Sequence, residues 1–211
     1  MYIKFIFLLF IIFNFCVKSS NATNVFLGLT LNKQKNDYTT SLVTLHSDAH
    51  PRLHIEKENS KSNFKFNGSI FIGKSFYHIS QFQIDFESGI DIGKFTNTIN
   101  SRNLSIQNKY QLYMLTKFGK SFKNILIYAN LGIGFKDLQI DYKNSNFNKF
   151  YINYIFGIGI NYKLNKNWNI FTEFNMHKAI ASVFISSLTL EDGEISPKSR
   201  QFKLGFKYYF V

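Results

Sequence analysis

Phe202-Lys203-Leu204-Gly205-Phe206-Lys207-Tyr208-Tyr209-Phe210-Val211 ends the chain and alternates without a break. As an extended strand it puts Phe202, Leu204, Phe206, Tyr208 and Phe210 on one face, and Lys203, Gly205, Lys207 and Tyr209 on the other. One face is oily and aromatic; the other is charged and small. Hydrocarbon suits the first and an enclosed polar lumen the second. Those are the two surroundings met by a strand that closes a transmembrane β-barrel.

The same period of two recurs in seven earlier segments. In 24–33, Val25, Leu27, Leu29 and Leu31 oppose Gly28 and Thr30. In 64–75, Phe64, Phe66, Ile70 and Ile72 oppose Lys65, Asn67 and Ser69. In 79–93, Phe82, Ile84, Phe86, Ile90 and Ile92 oppose Asp85, Glu87 and Asp91, three carboxylates on one face with no charge on the other. In 104–118, Leu104, Ile106, Tyr110, Leu112, Met114 and Phe118 share a face opposite Gln107, Lys109, Gln111 and Lys117. The segments 124–136, 150–164 and the one starting at Trp168 follow suit, the last setting Ile170, Phe174 and Met176 against Glu173 and His177. This leaves little room for helix and predicts an all-β, eight-stranded antiparallel up-and-down barrel.

The connections alternate as well: short at 76–78, 119–123 and 165–167, long at 34–63, 94–103, 137–149 and 179–199. That asymmetry predicts short periplasmic turns and longer extracellular loops. Two loops carry more strand signal. Asp192-Gly193 has the chemistry of a hairpin turn, and the stretch from Ser41 to Glu56 around His50-Pro51 has that of a smaller hairpin. A soluble barrel would show the same alternation inside out. The glycines decide between them: Gly28, Gly89, Gly93, Gly132, Gly134, Gly157, Gly159 and Gly205 all fall on the polar face. A water-facing strand gains nothing from glycine, whereas a crowded lumen gains space.

Met1 to Ala22 has Lys4 ahead of an apolar run from Phe5 to Phe15, then Ser20 and Ala22 at the −3 and −1 positions of a cleavage site. It predicts a signal peptide over 1–22 and a barrel domain over 23–211. The apolar run is shorter than the roughly 18 residues of a helical span. The single cysteine, Cys16, lies within this leader, so the mature barrel has neither disulfide nor thiol nucleophile. Net charge is +12, or +10 once Lys4 and Lys18 leave with the leader. The lysines are scattered over strands and turns, and the export signal argues against access to nucleic acid.

Gly157-x-Gly159-x-x-Tyr162, then Asn167-Trp168, Glu173-Phe174 and Leu204-Gly205-Phe206-x-Tyr208-Tyr209-Phe210 carry a family resemblance over roughly the last 90 residues. This half resembles the small bacterial outer-membrane barrels of the OmpA-barrel, OmpX and opacity-protein type. The C-terminal stretch looks like the aromatic assembly signature of that family, with Phe206, Tyr208 and Phe210 as its carriers and Val211 as an added residue. The resemblance implies an outer-membrane location and lipid and barrel-assembly machinery as partners. It leaves function open among structural proteins, adhesins and surface antigens.

The residues that could carry chemistry face the lumen. Asp85, Glu87 and Asp91 are expected next to Lys65 on one neighbouring strand and Lys109 and Lys117 on the other. Glu173 is expected beside Lys163, Lys203 and Lys207. A lone carboxylate in a narrow barrel is costly to bury, so opposite charges on adjacent strands predict an ionic plug. Eight strands enclose room for side chains and little more, which favours the plug; a selectivity filter or a proton-linked gate is the functional alternative.

His46, His50 and His54 would share a face on a helix and could then hold zinc, but Pro51 interrupts any such helix. His177, Ser182 and Glu173 are the best candidate for a nucleophilic set, and Ser182 has the wrong strand parity for it. The expectation is therefore a non-enzymatic, monomeric barrel without cofactor or metal. Its role would be structural, surface-antigen or adhesin-like, with loops available to a host or surface ligand. A narrow solute pore is the alternative, and a lipid A-modifying enzyme a more distant one.

Overall fold

The computed structural model describes residues 25–46, 52–79, 81–99, 104–142, 145–181, 183–186 and 191–210. The expected leader with Cys16 and the terminal Val211 lie outside these residues. Ten strands follow one another: β1 (Val25–His46), β2 (Arg52–Lys61), β3 (Lys65–Ile79), β4 (Phe82–Ile99), β5 (Leu104–Phe122), β6 (Ile125–Tyr142), β7 (Ser145–Lys163), β8 (Trp168–Ala179), β9 (Val183–Ser186) and β10 (Glu191–Phe210). Every pairing is antiparallel, and β1 with β10 closes the ring, from Val25 opposite Phe210 to Thr44 opposite Glu191.

The ring has eight staves. Two of them are broken lengthwise: β3 meets β1 up to Gln34 opposite Lys65, and β2 takes over from Asp37 opposite Lys61. In the same way β8 and β9 follow one another beside β10. The predicted small hairpin exists as β1–β2, so the extra strands lengthen staves and do not widen the barrel. Asp192-Gly193 is not a turn: Gly193 lies inside β10, opposite Ile185 and Leu42. The stretch 76–78 is strand too, because a bulge between Ser75 and Tyr77 lets β3 run on to Ile79.

Over the half of the wall near the short turns, the outward face is apolar and bare. Leu29, Leu31, Phe66, Ile158, Leu204 and Phe206 are each between 46% and 67% exposed, a surface water would not tolerate at this size. A bilayer crossing takes roughly 9–11 tilted residues. Strands here run to 22, so the staves continue well past that belt.

Beyond it the pattern turns over. In β6, Ile127, Leu131, Ile133 and Phe135 point outward, whereas Leu138 and Ile140 are fully buried inside, with Asp137, Gln139 and Asp141 alternating outside. In β5 the reversal needs a bulge between Asn108 and Gln111. That bulge corrects an expected face: Leu104 and Ile106 point inward, while Leu112 and Met114 point outward. With Tyr38, Tyr151 and Ile195 they form an apolar core between β10–β1 on one side and β5–β6–β7 on the other. The physical cause is the change of solvent: where water replaces lipid, the stable arrangement buries oil inside. Segments predicted as long loops are thus mostly strand, and the barrel carries a small β-sandwich on its long-loop end.

Candidate functional site

Inside the lipid-belt portion the lumen is filled. Four buried carboxylates, Asp85, Glu87, Asp91 and Glu173, share it with four buried lysines, Lys117, Lys136, Lys203 and Lys207. Lys117 of β5 is the hub. Its ammonium lies 2.6 Å from Glu87 Oε2 and also pairs with Glu173 Oε1. Lys207 approaches the same Glu87 oxygen at 3.4 Å, and Lys203 reaches Asp91 at 3.3 Å. Glu173 further accepts from the Tyr128 hydroxyl at 2.7 Å and from Asn175 Nδ2 at 3.2 Å; Asp91 accepts from Gln201 at 3.0 Å. Asp85 accepts from Gln83 Nε2 at 2.8 Å.

The pairing differs from the expectation of adjacent strands. Glu87–Lys117 does join neighbours, but Glu173–Lys117, Glu87–Lys207 and Asp91–Lys203 span the lumen. A barrel this narrow brings opposite walls within the reach of one side chain. Three lysines are displaced from their expected roles. Lys163 is exposed at the short-turn rim and does not flank Glu173. Lys109 is turned out to solvent by the β5 bulge, which inserts it between the lumen residues Asn108 and Gln111. Lys65 keeps lumen parity but sits at the upper edge and donates to the Thr96 carbonyl at 3.1 Å.

Aromatic rings hold the charges in place, and of these the sequence reading put only Tyr209 on the lumen face. Phe26, Phe71, Tyr113, Phe171 and Tyr209 are buried inside. The Lys203 ammonium stands 4.0 Å from the Tyr113 ring centre, that of Lys207 4.5 Å from Phe26, and that of Lys117 5.1 Å from Tyr128. Desolvated cations over ring faces are favourable contacts. Most of the rings fit because a glycine faces them across the ladder: Gly28 opposite Phe71, Gly73 opposite Phe26, Gly89 opposite Tyr113, Gly159 opposite Tyr128 and Gly205 opposite Phe171, whereas Tyr209 stands opposite Phe26. A Cβ on Gly28 would run into the Phe71 ring. The signal was available, since these aromatics occupy the polar-face parity of their strands.

Above the charges lies a layer of amides, including Asn32, Gln34, Asn67, Gln111, Asn153 and Gln201. His177 Nδ1 sits there, 3.1 Å from Gln111 Nε2 and 3.2 Å from Asn153 Nδ2. Its neighbours are amides, whereas the nucleophile of the candidate set, Ser182, lies outside the described residues. Of the loop histidines, His46 and His54 belong to β1 and β2, opposite Arg52 and Thr44, so strands and not a helix carry them; His50 lies outside the described residues.

The outer wall bears the aromatic anchors. Trp168 and Tyr208 meet edge to face at 5.0 Å, and Tyr208 meets Phe210 at 5.1 Å, all on the lipid side at the short-turn end. Tyr and Trp favour this level of a membrane, where the ring is buried and the polar atom stays wet.

Among solved structures, the Neisserial surface protein A superposes with a TM-score of 0.50 at 11% identity, covering 90% of this chain and all of that one. The outer membrane protease OmpT of Escherichia coli gives 0.55 at 6% identity, covering 91% of this chain and 99% of its own. At such identities the likeness is one of fold. No curated protein matches the sequence. The family described as outer membrane protein beta-barrel domain matches residues 24–210, which is the whole described barrel. A lipid-ready belt, a closed antiparallel ring and this match agree on a bacterial outer-membrane location, and the chain belongs to the outer membrane protein beta-barrel family.

Proposed function

We propose that this protein is a closed, non-enzymatic barrel of the cell envelope that displays its sandwich and loops at the cell surface, in a structural, surface-antigen or adhesin-like role. In this reading the leader 1–22 is removed, the barrel-assembly machinery recognises Phe206, Tyr208 and Phe210, the mature chain is a monomer, and the short turns face the periplasm. The observation that carries it is the filled lumen. Charge pairs span it from β4 to β10 and from β5 to β8, and aromatic rings pack the space between them. A solute path would have to break several buried ion pairs at once, each strongly unfavourable to separate in a dry interior.

The reading as a non-enzyme is supported by the burial of His177 and Glu173 within the lumen. The test is single-channel recording of the refolded protein in a planar bilayer. Silence is the expected result. Sustained, ion-selective openings would favour the narrow pore instead.

A further inference from the structure

Within the lumen network the four lysines and four carboxylates cancel, and Lys74, a fifth buried lysine, lies apart on β3 with its ammonium 5.1 Å from the Phe76 ring centre, so most of the excess positive charge lies on the outside of the barrel. Its distribution is uneven. At the long-loop end the exposed cations are interleaved with Asp37, Asp137, Asp141 and Glu194, and Arg200 pairs with Asp37 at 3.7 Å.

At the short-turn end Lys120, Lys123, Lys163 and Lys166 are all exposed, and no Asp or Glu accompanies them among the described residues of that rim. The nearest carboxylate in sequence on β4, Asp85, is shut inside the lumen. The four lysines form one arc: the β5–β6 turn holds Lys123, and the Lys163 amide donates to the Asn124 carbonyl at 2.8 Å, joining that turn to the end of β7.

Two details bear on what such an arc meets. Lys123 is the one non-glycine residue with positive φ among the described residues, at 54°. Asn or Gly adopts that conformation in a tight turn more readily, so an ammonium stands at the tip where the backbone would favour a different residue. The arc also stays level with the aromatic ring of the barrel: Lys120 Nζ lies 5.6 Å from the Phe82 ring centre and 5.4 Å from that of Phe122, and Lys166 lies two residues before Trp168. This is the headgroup level, where an ammonium meets lipid phosphate.

We propose that Lys120, Lys123, Lys163 and Lys166 form a binding site for the phosphate of anionic phospholipids in the leaflet on the short-turn side. The assignment of that leaflet to the periplasmic face rests on the orientation proposed above. The binding itself does not, and the experiment separates the two. The refolded barrel in zwitterionic micelles is titrated with short-chain phosphatidylglycerol, with phosphatidylcholine as the neutral control and inorganic phosphate as a third arm, and retained lipid is counted by native mass spectrometry.

The wild type should retain phosphatidylglycerol in preference to phosphatidylcholine. Replacing all four lysines by glutamine should cut that retention on the order of tenfold. The pair Lys163→Gln/Lys166→Gln should show an intermediate loss and guards against misfolding of the fourfold variant. Lys109→Gln/Lys178→Gln at the other rim should change nothing. Equal retention of the two lipids by the wild type, or full retention by the fourfold variant, overturns the proposal. So does competition by free phosphate as strong as that by lipid, which would make this an inorganic-anion site. Loss of binding to purified cell-wall sacculi with lipid retention intact would assign the arc to the wall polymer instead.

Discussion

Replacing Glu173 by glutamine removes one charge from the centre of the lumen network and leaves its shape almost unchanged. In the lumen network Lys117, Lys136, Lys203 and Lys207 would then face three carboxylates. Lys117 loses its partner on β8 but keeps Glu87 at 2.6 Å, and glutamine can still accept from Tyr128 or Asn175. Breaking a buried pair from one side costs about 3–5 kcal/mol, and the surviving Glu87 contact argues for the lower figure of about 3 kcal/mol. With a urea slope of about 2 kcal/mol per molar, the midpoint of the refolded barrel in micelles should fall by about 1.5 M.

The double variant Glu173→Gln/Lys117→Met restores the balance at three against three. Glu87 would retain Lys207 at 3.4 Å. Part of the lost midpoint should return, since a cycle on directly contacting groups reports their coupling. If Glu173→Gln instead left the midpoint where it was and altered conductance, the residue would serve a permeation path, and the reading of the lumen as a structural plug would be refuted.

Four further outcomes follow from the same geometry. Cysteine at Asn59 should react on intact cells with an impermeant maleimide and cysteine at Asn165 should not, and the reverse labelling would invert the proposed orientation. Phe210→Asp should lower the amount of protein in the outer membrane while Asn148→Asp, on the exposed face of β7, should not; equal immunoblot levels would separate Phe210 from assembly. Gly28→Val should overpack against Phe71 and cost about 1–3 kcal/mol in the urea assay, with partial rescue by Phe71→Leu; an unchanged midpoint would show that the ring is free to move. Leu138→Ala should loosen the outer sandwich by about 2–5 kcal/mol, seen as faster proteolysis of the long-loop end while the heat-modifiable gel shift of the barrel persists.

Alternation by itself determines much of this protein. Each strand has only two faces, and a period of two assigns every side chain to one of them, so Phe202 to Phe210 divide into lipid-facing and lumen-facing sets from the letters alone. Gly28, Gly159 and Gly205 fall inside for the same reason. Which charges meet could not be read that way, because parity says that Glu173 and Lys117 both face inward and says nothing of the distance across a lumen; closure of the ring and its register set that.

Lys109 shows the other gap. A bulge costs one residue and leaves no local signature in the letters, yet it moved Lys109 to the outside and turned Leu104 and Ile106 inward. The reversal in Asp137-Leu138-Gln139-Ile140-Asp141 was present in the sequence as alternation of opposite polarity. Its meaning depends on where lipid gives way to water, and only the height of each residue along the folded wall decides that.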